Sequence, residues 1–113
     1  MKELFRIKDL VFYKEEFLDD IKEFEDILPI IQDLSGFLSY EKIEIAGSNE
    51  CCEDTKENYI VEIYGYINKD DEFITKEEVD QMPVTSKNAE LDLFVIRVYK
   101  CTACNKWIID ILE

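Results

Sequence analysis

Lys14-Glu15-Glu16-Phe17-Leu18-Asp19-Asp20-Ile21-Lys22-Glu23-Phe24-Glu25-Asp26-Ile27-Leu28 is the stretch on which the fold reading turns. Phe17, Leu18, Ile21, Phe24 and Leu28 recur mostly at steps of three and four, which places them on one face of a helix. The other face is acidic. Glu15–Asp19–Glu23 and Glu16–Asp20 are like-charge pairs one turn apart, each destabilising an isolated helix by about 0.2–0.5 kcal/mol. Such a helix depends on docking its apolar face. Pro29 disfavours helix at Leu28, so the pattern breaks there or restarts as a short helix with proline in its first turn. That piece runs through Ile30, Ile31 and Leu34 to Gly36, a residue suited to a left-handed helix cap.

Working outward, residues 4–12 are ambiguous between a short strand and a loop. Downstream the character changes to strand over 38–46, 59–67, 91–100 and 107–112. The clearest is Tyr59-Ile60-Val61-Glu62-Ile63-Tyr64-Gly65-Tyr66-Ile67, β-branched and aromatic. Its alternation puts Tyr59, Val61, Ile63, Gly65 and Ile67 on the face toward the helix and Tyr64 and Tyr66 on the outer face. Thr75-Lys76-Glu77-Glu78 has capping-box form and predicts a short helix near 76–82, ended by Pro83. The expected fold is a single α+β domain over residues 1–113: an antiparallel sheet of about four strands, the N-terminal helix packed on one face, and a short helical insertion.

The chain has 113 residues and 13.4 kDa, with 13 Lys+Arg against 27 Asp+Glu, a net charge of −14 and no histidine. A hydrophobic fraction of 47% excludes a disordered acidic tail. A polyanion of this kind repels phosphate, so no nucleic-acid partner is expected. Histidine catalysis and histidine-ligated metals are excluded outright. The sequence has no apolar run of about 18 residues, so no membrane association is expected. The N-terminal residues carry charge throughout, unlike a secretory signal. A cytoplasmic protein with reduced thiols is the expectation. Without a Gly-rich phosphate loop or a Gly-x-Ser-x-Gly elbow, an enzyme is not expected. The composition, rich in Ile, Lys, Glu, Asp, Asn, Phe and Tyr, is like that of AT-rich bacterial genomes. The whole chain resembles the small protein families of anaerobic Firmicutes that have no assigned function.

The chemistry lies in the cysteines. Cys101-Thr102-Ala103-Cys104-Asn105-Lys106-Trp107 falls between two expected strands. A Cys-x-x-Cys turn at a hairpin tip brings two thiolates close enough to bind one ion. Asn105 follows the second cysteine, where such turns need a left-handed residue and asparagine tolerates that conformation. The segment resembles the zinc knuckle of zinc-ribbon and rubredoxin-like proteins, over these residues only. A tetrahedral site takes two further ligands. Cys51 and Cys52 lie in another loop, between strands 38–46 and 59–67, and complete a candidate four-cysteine zinc site: Cys51, Cys52, Cys101, Cys104. The first pair departs from the knuckle pattern, because adjacent residues point apart. Glu50, Glu53 or Asp54 could then supply an oxygen ligand. Three alternatives stand beside zinc: four reduced core cysteines, a thiol redox pair, and disulfides formed by oxidation.

Asp70 to Glu78 looks like the second half of a calcium loop. Read backwards, however, Ile67 and Lys69 fall where oxygen ligands are required, and Glu72 falls on the glycine position. The acidic excess forms three blocks: −5 over 14–27, −4 over 41–58 and −4 over 69–80, against a neutral last 32 residues. The functional expectation is a small acidic binding or assembly domain with a structural zinc site, acting on a protein partner or as a homodimer. The alternatives are an acidic protein that captures a basic partner, up to a nucleic-acid mimic, and a thiol redox protein.

Overall fold

The computed structural model describes residues 1–45, 55–81 and 91–112. Strand β1 (Glu3–Ile7) and strand β2 (Leu10–Tyr13) form an antiparallel hairpin, a sheet of their own. A second sheet holds β3 (Glu41–Glu44), β4 (Glu57–Ile67), β6 (Asp92–Cys101) and β7 (Trp107–Leu112) in that order. Its fifth strand, β5 (Phe73–Thr75), pairs with residues 65–67 of β4, while β3 pairs with residues 57–60. Helix α1 spans Leu28–Leu34, and a single turn, α2, spans Lys76–Asp80. Residues fall into two compact units, Met1–Val61 with Val98–Ile109, and Glu62–Arg97 with Asp110–Glu113.

This overturns the expected fold class. Strand accounts for 47% of the described residues and helix of all kinds for 23%, in two sheets rather than one. No N-terminal helix packs on a four-stranded sheet. Residues 14–27 instead form short 3₁₀ turns, Lys14–Glu16 and Ile21–Phe24, joined by extended chain. The reasons are physical. Phe17 is extended (φ −74°, ψ 131°) and bridges to Trp107, whose carbonyl accepts from Leu18 N–H at 3.1 Å. The Phe17 ring lies 4.4 Å from the Trp107 ring and 5.4 Å from that of Phe24. The aromatic spacing thus serves a cluster on tryptophan rather than a helix face, and Leu18 stays 46% exposed. Asp20 competes with the helical backbone by accepting from Lys22 N–H, as short acidic side chains do.

The helix that forms is the one opened by Pro29, and it buries Ile31. Gln32 of α1 donates to the Leu4 carbonyl at 2.9 Å, which docks it to the β1–β2 hairpin. It ends at Leu34, followed by a 3₁₀ turn over Ser35–Phe37, and Gly36 does not take the left-handed conformation. The core of the first unit is aromatic. Phe5 stacks on Phe12, both meet the Trp107 ring edge-on at 5.4 Å, and Trp107 Nε1 donates to the Tyr13 carbonyl. In β4, Val61, Ile63 and Gly65 are buried while Glu62 and Tyr64 face out, as the alternation predicts. The predicted cap on α2 is present: Thr75 Oγ1 accepts from Glu78 N–H.

Three described residues other than glycine have positive φ: Lys8 (56°), Asp71 (60°) and Asn105 (68°). All three sit in chain reversals, after β1, β4 and β6 respectively. No described glycine shares that conformation.

Candidate functional site

The turn after β6 carries the described half of the candidate site. Cys101 ends the strand and is buried; Cys104 is half-buried. Cys101 N–H donates to the Lys106 carbonyl at 2.8 Å, and Asn105 N–H donates back to the Cys101 carbonyl at 3.2 Å. A five-residue connection can only reverse the chain, so β7 returns beside β6. Asn105 takes the left-handed conformation expected of it. Both cysteines are therefore placed on one tight, backbone-bonded turn.

Beneath that turn lies a residue the sequence reading missed. Lys100 keeps only 5% of its side chain exposed. Its Nζ donates to the Val11 carbonyl at 2.9 Å and to the Asn105 carbonyl at 3.1 Å. It lies 3.8 Å from Glu16 Oε1 and 5.2 Å from the centre of the Phe12 ring. Burial pushes the ammonium below its ordinary pKa, and the neighbouring Glu16 carboxylate pulls the other way. A signal for this position exists in the sequence: Lys100 alternates with Ile96 and Val98, both fully buried, so it shares their face of β6. A lysine in phase with core residues needs polar partners, and they come from the β1–β2 hairpin and the segment after it.

Cys51 and Cys52, with Glu50, Glu53 and Asp54, lie outside the described residues. Among the described residues no three cysteine or carboxylate side chains converge on a point that could hold a metal ion. The described donor set is one pair of thiols, half of what tetrahedral coordination requires. Asp70 to Glu78 forms a hairpin connection, the strand β5 and the first turn of α2 rather than a calcium loop. Asn68 Oδ1 accepts from Asp70 and Glu72 N–H, and Asn68 N–H donates to the Glu72 carbonyl.

Most of the described acids face solvent. The ion pairs among the described residues include Arg6–Glu3, Arg97–Glu62 and Lys100–Glu16. Asp19, Asp20, Glu23, Glu25 and Asp26 are all exposed. No helix among the described residues is long and apolar enough to cross a membrane. No family model matches the chain, and neither a curated protein nor a solved structure does.

Proposed function

We propose that the chain is a small acidic binding or assembly domain of the cytoplasm, stabilised by a structural zinc ion on Cys51, Cys52, Cys101 and Cys104. One observation carries this reading: Cys101 and Cys104 share a backbone-bonded turn closed by a left-handed Asn105. That is the local shape a two-thiolate knuckle needs, and asparagine tolerates the left-handed conformation it requires. Zinc held there would tie the turn after β6 to the loop before β4 and add folding free energy. Zinc analysis of reduced, purified protein is expected to give one ion per chain, with chelation lowering the melting temperature. Metal-free protein whose stability is untouched by Cys101→Ser would sink the reading.

The exposed acids on 19–26 favour a second reading, capture of a basic protein partner. Such a complex is salt-sensitive, because exposed charges are screened within about 8 Å at physiological ionic strength. Retention of a basic protein at low salt and its release at high salt supports this reading; retention that ignores salt removes it.

A further inference from the structure

We propose that Cys101 and Cys104 form a dithiol–disulfide exchange site. Its co-reactant is a small disulfide such as glutathione disulfide, and its product is a disulfide closed within the turn. The site uses described residues alone and does not depend on the zinc reading.

Three features of the turn carry this. The first is spacing. Asn105 N–H donates to the Cys101 carbonyl at 3.2 Å, which closes one helix-like turn over residues 101–105. Cα atoms three residues apart in such a turn lie about 5 Å from each other. A disulfide closes across about 4.4–6.8 Å, so the bond needs no movement of the strands. The second is fixation. Cys101 N–H is held by the Lys106 carbonyl, Thr102 Oγ1 donates to the Glu57 carbonyl, and Lys100 Nζ donates to the Asn105 carbonyl. Both ends of the pair are thus ordered, and a reaction between ordered neighbours outruns attack by a second molecule. The third is a difference in exposure. Cys104 is half-buried and meets solvent, whereas Cys101 is 2% exposed. Only the first is open to an external disulfide, and the second has to reach no further than its neighbour.

The steps follow from that difference. The Cys104 thiolate attacks one sulfur of glutathione disulfide, forming a mixed disulfide and releasing one glutathione thiolate. Cys101 gives its proton to water, and its thiolate attacks Cys104 Sγ. The Cys101–Cys104 bond forms, the mixed disulfide breaks, and the second glutathione leaves as a thiolate that takes up a proton. The protein dithiol has lost two electrons and two protons, and the small disulfide has become two thiols.

The test uses reduced full-length protein with a chelator, incubated with glutathione disulfide, quenched in acid, alkylated and digested with trypsin. Cleavage after Lys100 and Lys106 puts both cysteines in one peptide, 101–106; cleavage after Lys42 and Lys56 puts Cys51 and Cys52 in 43–56. Peptide 101–106 is expected to lose two hydrogens and to resist alkylation. Cys101→Ser is expected to stop with glutathione on Cys104, and Cys104→Ser to react at Cys101 roughly tenfold or more slowly. Equal rates in the two variants overturn the proposal. So does a wild-type peptide 101–106 that is still alkylated, or one joined to 43–56, and these wild-type outcomes decide the matter if a variant does not fold. The joined peptides leave the zinc reading standing, since it places all four cysteines together. Protein that binds no zinc yet oxidises within 101–106 overturns the zinc reading and supports this one.

Discussion

The connections after β4 and after β6 are both five residues long, and both turn on a left-handed residue other than glycine. They pay for that strain in different ways. The turn at 68–72 is closed from within: Asn68 folds over it and accepts two backbone N–H groups, at 2.9 and 3.0 Å. The turn at 102–106 is closed from beneath, by a lysine that also holds another strand. The first is autonomous: the Asn68 side chain is spent on the turn's own backbone. The second is also tied to β4, where the Glu57 carbonyl accepts from Thr102 Oγ1 at 3.4 Å; it carries Cys104, with Cys101 at its root. One turn is self-contained; the other is tied to β2, β4 and β6, so its shape depends on residues far along the chain.

The largest effect is expected at the root of the self-supporting hairpin. A Cβ at Gly65 would sit 2.4 Å from Phe73 Cζ and 2.6 Å from the Ile74 carbonyl oxygen. The ring could rotate away, but the paired backbone oxygen cannot. Gly65→Ala is expected to destabilise by about 3 kcal/mol, the upper end for overpacking, in denaturant unfolding. Asn68→Ala comes next. It removes two exposed hydrogen bonds and is expected to cost about 1–2 kcal/mol by the same measurement. A loss under about 0.3 kcal/mol would show that this turn is not closed by its asparagine.

The glycine substitutions sharpen the contrast further. A left-handed residue other than glycine costs about 1–2 kcal/mol, partly offset by the entropy glycine adds to the unfolded chain. Asp71→Gly is expected to stabilise by about 0.5–1 kcal/mol. Asn105→Gly should gain at most a few tenths, because asparagine tolerates that conformation. Equal gains would erase the difference between the turns.

The smallest effect concerns the third turn, Lys8–Asp9, braced by the Tyr40 hydroxyl donating to Asp9. That bond lowers the Asp9 pKa and raises that of Tyr40. A lowered carboxyl stabilises above its unfolded value near 4 and loses this as pH falls through its folded pKa. A raised phenol stabilises below about 10 and loses this as pH rises through its folded pKa. The brace is therefore complete between about pH 4 and 10. In a spectroscopic titration, Asp9→Asn is expected to lower the Tyr40 pKa; an unchanged titration would show that the bond is absent in solution.

Legibility followed the range of the forces. β4, β6 and β7 could be read because β-branched and aromatic residues favour strand locally, and α2 because Thr75 caps it within its own turn. The left-handed Asn105 was legible for the same reason. Residues 14–27 were misread because helical spacing also suits aromatic docking, and the deciding partner, Trp107, lies near the other end of the chain. The β1–β2 hairpin was hidden because Lys8–Asp9 lacks the glycine or asparagine that usually marks a two-residue turn. Within the candidate site, the Cys101–Cys104 turn was visible. Lys100 was not, since its partners Val11 and Glu16 are remote in sequence. Cys51 and Cys52 lie outside the described residues.

The aromatic cluster has an optical consequence. The chain contains one tryptophan, Trp107, and it is 1% exposed, enclosed by Phe5, Phe12 and Phe17. Light selective for indole therefore reports the first compact unit alone, whereas tyrosine reports both, with Tyr13, Tyr40, Tyr59 and Tyr99 in the first and Tyr64 and Tyr66 in the second. Indole emission from this site should be strongly blue-shifted and move to the red as the cluster opens. The tyrosine signal can then be followed beside it. Melting curves at the two wavelengths would superimpose if the units unfold together and separate if they do not, giving the protein a native reporter of its own cooperativity.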